Sequence, residues 1–456
     1  MDILNHKHIP ELAQVDILVV GGGSAGSLAA LASRQNSRQK VMLIERYGFL
    51  GGTSTQMLDT FYGFFTPGDE PRKIVSGLPD RIVDALNETG DLFLRPNTYG
   101  AGTGVTYNPE RLKHIWDREL LQAGVQLYLH TILVDVEKSE GDENICIVWH
   151  KSGFYKIKAK RVIDASGDAD FCHLSGLPYE LAGEHEPAQS MTTTFRMANV
   201  DLDTFSQSGG KTMLKNKMKE AVEKGTHPLP RKEGSAHEMV QAGCISTVAV
   251  KVSDLMALDM DELTRAEVEG RKQAFIYETF FREEVPGYEE AKIIGLSHHI
   301  GVRETRRVYG QYRLTREDCM ARKTSDEDVF LCGAPVEDHR KGEECEQETV
   351  WEYIPEGGVY GVPYQTLIPQ GSETSWVAGR CFSATHDAHA SCRSMAQTMS
   401  MGQATGLAAS LSLETDRSAG DVDVQLLRER LVQLGAILEM PGQPANISRN
   451  GWKNNG

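Results

Sequence analysis

An α/β fold, in which a Rossmann-like parallel sheet is interrupted by an inserted α+β domain, is predicted by three observations. Val15-Asp-Ile-Leu-Val-Val-Gly-Gly-Gly-Ser-Ala-Gly26 runs an apolar strand into a glycine turn and a small-residue helix. Leu43-Ile44-Glu45 then closes a second strand, nineteen residues after Gly26. Far downstream, Ser375-Trp-Val-Ala-Gly379 returns to the buried-strand pattern after a long stretch of different texture. Ile17 to Val20 suit a parallel strand covered on both faces. Gly21, Gly23 and Gly26 fit the G-x-G-x-x-G spacing. The first permits a tight turn, the second lets the backbone approach a pyrophosphate, and the third lets the helix pack on the strand, while the helix N-terminus offers free N–H groups to an anion. Glu45 is placed to accept hydrogen bonds from ribose hydroxyls and to disfavour a 2′-phosphate. Strand, glycines, helix, strand and acid within about thirty residues are far more specific than a lone glycine motif. They do not separate FAD from NAD.

The elements that follow fit the same plan. Arg46-Tyr-Gly-Phe-Leu-Gly-Gly-Thr-Ser-Thr55 is a second glycine turn where the chain leaves the ribose-binding strand, with hydroxyls at Thr53 to Thr55. Asn108-Pro109 caps a helix that ends at Gly124. Val125–Leu129, Thr131–Val136 and Ile145–Trp149 read as strands, and Arg161-Val-Ile-Asp-Ala-Ser-Gly-Asp168 as a buried strand ending in small residues. Residues 185–365 carry charged helical stretches, Lys211–Lys224 and Met260–Glu284, and read as an inserted substrate or cap domain between 1–184 and 366–441. Ala396 to Leu413 is a small-residue helix suited to close packing, and 442–456 reads as a flexible tail.

Composition narrows the function. The 456 residues are 40% hydrophobic and 25% charged, and the 44 glycines suit a globular protein rich in tight turns. The formal charge of −16 argues against a nucleic-acid partner. No run of eighteen apolar residues is present and the opening Met1-Asp-Ile-Leu-Asn-His-Lys-His lacks the apolar core of a secretory signal, so the expectation is a cytoplasmic protein without a membrane partner. The eight cysteines (146, 172, 244, 319, 332, 345, 381 and 392) include no C-x-x-C and read as core thiols rather than a cluster, zinc or redox pair.

Five ordered motifs then carry a resemblance: Gly51-Gly-Thr-Ser-Thr, Ile163-Asp-Ala-Ser-Gly-Asp, Ile300-Gly-Val-Arg-Glu-Thr-Arg-Arg, Tyr360-Gly-Val-Pro-Tyr and Gly379-Arg-Cys-Phe-Ser-Ala-Thr-His. From about residue 15 to 413 the chain resembles the FAD-dependent oxidoreductase family of the glutathione-reductase-like flavoproteins. The resemblance implies FAD; noncovalent binding is the working expectation, and a covalent link through a histidine or Cys381 stays open. Gly21, Gly23, Ser24, Ala25 and Gly26 match the pyrophosphate loop, Glu45 and Arg46 the ribose end, and Gly51, Gly52, Thr53 and Ser54 the turn near the flavin. Leu133 matches the backbone contact to adenine, and Ala165 and Gly167 the strand end beneath the cofactor. Gly379 and Arg380 match the turn at the ribitol diphosphate, and Gly402, Gln403 and Ala404 a helix N-terminal region facing the flavin pyrimidine. The chain departs from the aromatic hydroxylases of this fold, which carry Gly-Asp where it has Gly379-Arg380, and lacks the cysteine clusters of the heterodisulfide reductase relatives.

Flavin oxidation of a C–H bond requires a hydride donor above N5 and a base for the accompanying proton, a role suited to histidine. His298 and His299 are the first candidates for that base. Arg303, Arg306 and Arg307 share a face if their segment is helical and would bind a carboxylate or enolate, with Arg303 foremost by its motif. His386 follows the flavin-contacting turn and is placed to hydrogen-bond flavin or substrate; with His389 it forms an H-x-x-H pair lacking a third ligand nearby, so no metal is expected. Tyr360 joins the catalytic candidates, with Tyr312, His339, Tyr364 and Arg393 behind. The expected function is a dehydrogenase or oxidase acting on a small organic substrate and passing electrons to oxygen or another acceptor. A reductase or isomerase acting on a C=C bond and a non-catalytic FAD-binding protein are the alternatives, and a homo-oligomer stays open.

Overall fold

The computed structural model describes residues 9–35, 37–138, 143–339 and 349–455. Cys345 and the opening eight residues lie outside them. Strand β1 (Glu11–Val20) leads into helix α1 (Ser24–Ser33) and then β2 (Val41–Ile44). The sheet continues with β3 (Gln126–Tyr128), β4 (Ile132–Lys138), β5 (Asn144–His150) and β6 (Gly153–Asp164), in the order β3-β2-β1-β6-β5-β4. β3, β2, β1 and β6 are mutually parallel, and β4, β5 and β6 form an antiparallel meander. β6 is long enough to serve both parts. It pairs with β5 along Gly153–Ala159 and with the parallel strand Ser375–Val377 along Val162–Asp164. The parallel Rossmann-like core is thus closed by a strand more than two hundred residues downstream, as the apolar pattern of Ser375–Gly379 predicted.

Ile17 to Val20 are buried on both faces, and all ten residues of α1 are buried. That burial is possible because α1 is built of small residues and lies between the sheet and helix α2 (Met395–Thr415). A Cβ at Gly402 would stand 2.1 Å from the Ala25 carbonyl oxygen, and one at Gly406 2.3 Å from that of Ala29. The Ala/Gly/Ser composition of this helix therefore serves helix–helix approach. Asn108 caps the helix Pro109–Gln122 as expected, its side chain accepting from the N–H groups of Glu110 and Arg111.

A second apolar core, drawn from Met191 to Ile300, is separate from the first. Its sheet consists of β7 (Phe195–Ala198), β8 (Ser235–Glu238), β9 (Ile245–Val248) and β10 (Lys292–Leu296), ordered β8-β9-β7-β10 and antiparallel throughout. Phe195 packs on Tyr277 and Phe281 of the long helix Met260–Glu284, ring centroids 6.1 and 6.4 Å away. Val308 to Ile368 pack instead in the first core, so the change of core falls near residue 300, not at 365. The cause is visible in Tyr360, Val362 and Leu367, which are fully buried against the main sheet's cluster. The end of the chain also differs from the expected tail. Trp452 is 2% exposed, sits edge-on to Phe64 and Phe65, and donates its indole N–H to Asp84. Seven cysteines are free thiols and six of them are buried. Among the described residues no helix is long and apolar enough to cross a membrane.

Candidate active site

Two regions meet along residues 51–63. The first is the cradle at the end of β1. Gly21 has φ +94°, and a Cβ there would lie 2.5 Å from the Ala165 carbonyl oxygen, while one at Gly26 would lie 1.9 Å from that of Gly21. At Gly23 a Cβ would meet nothing within 4 Å. The loop is thus packed on two of its glycines and open at the third, on the side a ligand would approach. No side chain caps α1 and its first turn has no acid, so the N–H groups of that turn are left for an anion. Glu45 is buried and both its oxygens accept backbone N–H groups, Gly22 at 2.6 Å and Tyr47 at 2.8 Å. Burial raises its pKa against those two hydrogen bonds. The second glycine turn lies against the first: Gly23 pairs with Gly51, whose N–H donates to the Gly22 carbonyl, and Ser24 Oγ stands 3.1 Å from Ser54 Oγ. Thr53 is exposed at the rim of this turn. Leu133 is buried on the edge strand β4, just beyond Thr131, whose N–H donates to the Glu45 carbonyl.

Several residues expected at the cofactor have other occupations. Gly402, Gln403 and Ala404 are not at the N-terminus of α2, which begins at Met395 behind Ser394. They sit two turns further in, about 12 Å along the axis at 1.5 Å per residue. Gly402 packs on Ala25 and the Gln403 side chain accepts the N–H of Leu78. Arg380 spends its guanidinium on protein oxygens: Gly167 at 2.9 Å, Val302 at 2.6 Å and Asp168 at 2.6 Å. Arg46 approaches the other Asp168 oxygen at 3.2 Å. Burial would raise the Asp168 pKa, but the two guanidiniums outweigh it and hold it below the usual range. Gly167, at φ +80°, packs under the Arg380 guanidinium, and Ala165 carries β6 into this turn by donating its N–H to Val20.

The second region is a buried polar cluster facing the sheet β7–β10. Cross-strand register puts His237, Ser246 and Arg196 in one row on the face opposite Phe195. Asp59, fully buried, lies 2.8 Å from His237 Nε2, and His237 is 5% exposed. Burial pushes the Asp59 carboxyl up, but His237 and the nearby Arg95 and Arg196 charges bring it below its usual value. Burial and the Arg95 charge lower the His237 imidazole, against the pull of Asp59. Arg95 hydrogen-bonds the Tyr62 hydroxyl, and Arg303 donates to the Ser190 carbonyl. Burial and the like charges of Arg393 and Arg231 bring Arg303 down to about 9. Arg393 donates to Gln189, and Glu337 pairs with His339 at 3.0 Å. This cluster adjoins the N-terminus of α2: Ala396 N–H donates to the Tyr62 carbonyl, Gln397 to that of Gly63, and Arg393 immediately precedes Ser394. Among the atoms buried here without a partner are Asp59 Oδ2, His237 Nδ1, Ser246 Oγ, and Arg196 Nε and Nη2, with Gln189 Nε2, Arg393 Nε and Gln397 Oε1 toward the N-terminus of α2.

Of the expected catalytic residues, Arg303 enters this cluster, together with His339 and Arg393 from the candidates behind it. His298 and His299 lie over the segment after Glu45, their rings 4.9 Å from Phe49 and Tyr47 respectively. His299 donates from Nδ1 to its neighbour's carbonyl at 2.9 Å, and burial lowers its pKa. Tyr360 is fully buried, its hydroxyl 2.6 Å from Ser391 Oγ, which makes it a core residue. His386 is held by Glu304 at 3.1 Å and Asp338 at 3.5 Å. Burial opposes its charge, but these carboxylates push it to about 9, so it is a cation near neutral pH with no lone pair to act as base. Asp338, His386 and Asp387 bring ligand-type atoms within 4.8 Å of one another, a group in which the imidazolium would release its proton on binding a metal. His389 instead donates to the Arg380 carbonyl at 2.7 Å. The Arg303–Arg307 segment is not helical, because Arg306–Val308 is a strand paired with Tyr179–Leu181. Arg306 donates to the Asp168 carbonyl, and Arg307, 1% exposed, is ringed by Glu304, Glu180 and Glu186. Tyr312 and Tyr364 have partnered hydroxyls on Asp318 and Ala419. Asp59, Arg196 and His237 escaped sequence reasoning, since each stands alone in its own segment with no motif around it.

A surface groove of about 840 Å³ along Lys251–Leu255 and the helix Met260–Glu284 shares no residue with either region. The open loop at Gly23, the uncapped α1 and the buried acid at Glu45 fit a dinucleotide. No curated protein matches the sequence. Among solved structures the chain is similar to a geranylgeranyl bacteriochlorophyll reductase-like protein from Thermoplasma acidophilum, with 15% identity, 93% of this chain and 84% of that one covered, and a TM-score of 0.44. It is also similar to p-nitrophenol 4-monooxygenase from Pseudomonas putida DLL-E4, with 12% identity, 94% and 87% covered, and a TM-score of 0.48. A family model described as FAD dependent oxidoreductase matches residues 16–431, a span that holds both the cradle and the polar cluster. The chain belongs to this family of FAD-dependent oxidoreductases, and FAD is its cofactor.

Proposed function

We propose that the protein is a dehydrogenase or oxidase acting on a small organic substrate, with His237 as the base and Asp59 as its positioning residue. The observation that carries this reading is the buried pair itself, Nε2 of His237 2.8 Å from Asp59 with Nδ1 left buried and unpartnered. An ionised Asp59 accepts only, so Nε2 bears the hydrogen and Nδ1 bears the lone pair. Burial keeps the imidazole neutral near neutral pH, which is the state a base requires. Once protonated, the ring is stabilised by the Asp59 charge. FAD, when bound, supplies the acceptor for the hydrogen and two electrons that leave the substrate carbon. In this reading the fold is glutathione-reductase-like, with the Met191–Ile300 core as the inserted substrate unit. Its separate apolar core supports that assignment. Electrons then pass to oxygen or another acceptor.

The test uses the FAD-loaded protein without oxygen, mixed with hydroxy and carbonyl compounds while the flavin band near 450 nm is followed (about 450 nm is the usual oxidised-flavin region). The expected result is bleaching by one class of compound, slowed about 10²- to 10⁴-fold in His237→Gln with the flavin retained. Bleaching by reduced nicotinamide alone would replace this reading with the reductase one, and wild-type rates in His237→Gln would remove the base assignment.

A further inference from the structure

We propose, resting on the function just given, that the substrate is a short hydroxy acid and that Arg196 receives its carboxylate. The two unpartnered nitrogens of Arg196, Nε and Nη2, lie on the same edge of the guanidinium. That edge is the fork that grips a carboxylate through two parallel hydrogen bonds. A guanidinium does not shed its charge, so two of its N–H groups kept from water without an acceptor cost stability until one arrives.

The neighbours fix what else the ligand carries. Arg196 is opposite Ser246, and Ser246 is opposite His237, on adjacent strands about 4.8 Å apart. Ser246 is 1% exposed and its hydroxyl is also unpartnered. One small molecule along this row meets a cationic fork at one end, a hydroxyl in the middle and a lone pair at the other end. Arg95 and Lys211 bring positive charge to the His237 end of the row, and Arg95 also acts on Asp59. The two carboxylates of the cluster, Asp59 and Glu337, are already engaged by His237 and His339. Arg95, Arg303 and Arg393 have hydrogen-bond partners, and although Arg393 Nε is also unpartnered, Arg196 is, among the described residues of the cluster, the guanidinium with both nitrogens of one edge open.

The chemistry balances with no further reactant. The hydroxyl O–H bond breaks and its proton passes to His237 Nδ1. The C–H bond of the same carbon breaks and its hydrogen leaves with both electrons to FAD. A C=O bond forms, the hydroxy acid becomes an oxo acid, and FAD is reduced by two electrons.

The experiment is an equilibrium titration of the FAD-loaded protein with oxalate, which has the carboxylates but no C–H bond to oxidise, and with its uncharged diamide oxamide. Melting temperature and flavin absorption are the readouts. Oxalate is expected to raise the melting temperature saturably, oxamide to leave it unchanged, and Arg196→Gln to weaken oxalate about 10- to 100-fold. Arg196→Lys should restore part of the affinity, because it keeps the charge and loses the fork. The proposal is overturned if oxalate fails to bind, if oxamide binds equally, or if both variants bind oxalate as the wild type does. Since binding requires no turnover, Arg196-dependent oxalate binding with no bleaching by any hydroxy acid would retain the anion site and reject the hydride-transfer reading.

Discussion

In the cradle, buried polar groups are satisfied by the protein: Glu45 holds two backbone N–H groups, Ser27 reaches the Gly22 carbonyl at 2.9 Å and Ser54 the Gly51 carbonyl at 2.8 Å. In the cluster on β7–β10, Asp59, His237, Ser246 and Arg196 each keep a buried atom without a partner. Native proteins pair nearly all such atoms, so a concentration of exceptions marks a place completed by something else. The cradle is a finished piece of architecture that presents free helix N–H groups at its surface. The cluster is unfinished, and under the function proposed above the substrate is the missing part.

The largest break in this comparison comes from Gly26→Val. Its Cβ would meet the Gly21 carbonyl oxygen at 1.9 Å, a backbone atom, and the Ala165 Cβ at 3.0 Å. Overpacking of this kind costs about 3 kcal/mol. The variant should melt earlier by calorimetry and be isolated without its flavin absorbance. Next in size is the dyad, where His237→Gln lowers the rate of flavin reduction about 10²- to 10⁴-fold. Asp59→Asn separates orientation from packing through the pH profile. Wild-type activity falls as pH drops through the His237 pKa, which burial holds below 6.5. Loss of the Asp59 charge removes the one influence that raises it, so the acid limb should move to still lower pH. An unmoved limb would make Asp59 a packing residue only.

Legibility in sequence follows the same division. Gly21, Gly23, Gly26 and Glu45 belong to one local unit whose spacing is dictated by the backbone of a strand, a turn and a helix, so residue order alone reveals them. His237 and Asp59 meet because a hairpin of the second sheet folds over the segment after Gly52, and nothing near either residue announces the other. Arg306 and Arg307 misled for a related reason. Their spacing suits a helix, but pairing with Tyr179–Leu181 draws them into a strand and commits both guanidiniums to acids and a carbonyl. Ala396 to Leu413 read as a small-residue helix suited to close packing, as Gly402 on Ala25 shows, but residue order did not reveal that Gly402 to Ala404 lie two turns inside α2 and not at its N-terminus.

Beside the cluster lies an ionic network around His386, and its pH response is the next smaller effect. His386 bridges Glu304 and Asp338, and Glu304, held at about 2 against its burial by His386, also meets Arg307 at 2.6 Å. The folded-state value for His386 is about 9, above the unfolded value near 6.5. Its stabilisation is therefore fully present below pH 6.5 and is lost as pH rises toward 9, amounting to about 3 kcal/mol. Thermal unfolding between pH 6 and 9.5 should show that decline, and His386→Gln should flatten it while lowering stability at pH 6. A wild-type profile flat over this range would show that the ion pairs of His386 with Glu304 and Asp338 do not hold its proton in the folded state.

The smallest effect distinguishes most sharply between a glycine required by the protein and one required by its ligand. Gly23 has an extended backbone, φ −63° and ψ −178°, which any residue adopts, and a Cβ there touches nothing within 4 Å. Gly23→Ala should thus fold with an unchanged melting temperature once flavin is removed, unlike Gly26→Val. The added methyl stands in the space from which a pyrophosphate would approach the first turn of α1, and it holds the anion away from those N–H groups. Loss of one such hydrogen bond to a charged group weakens FAD about tenfold, measurable by fluorescence titration of the apoprotein. Equal FAD affinity in the two proteins would mean that the open side of Gly23 is not where the cofactor lies, and the contrast between a loop packed at Gly26 and open at Gly23 would lose its functional meaning.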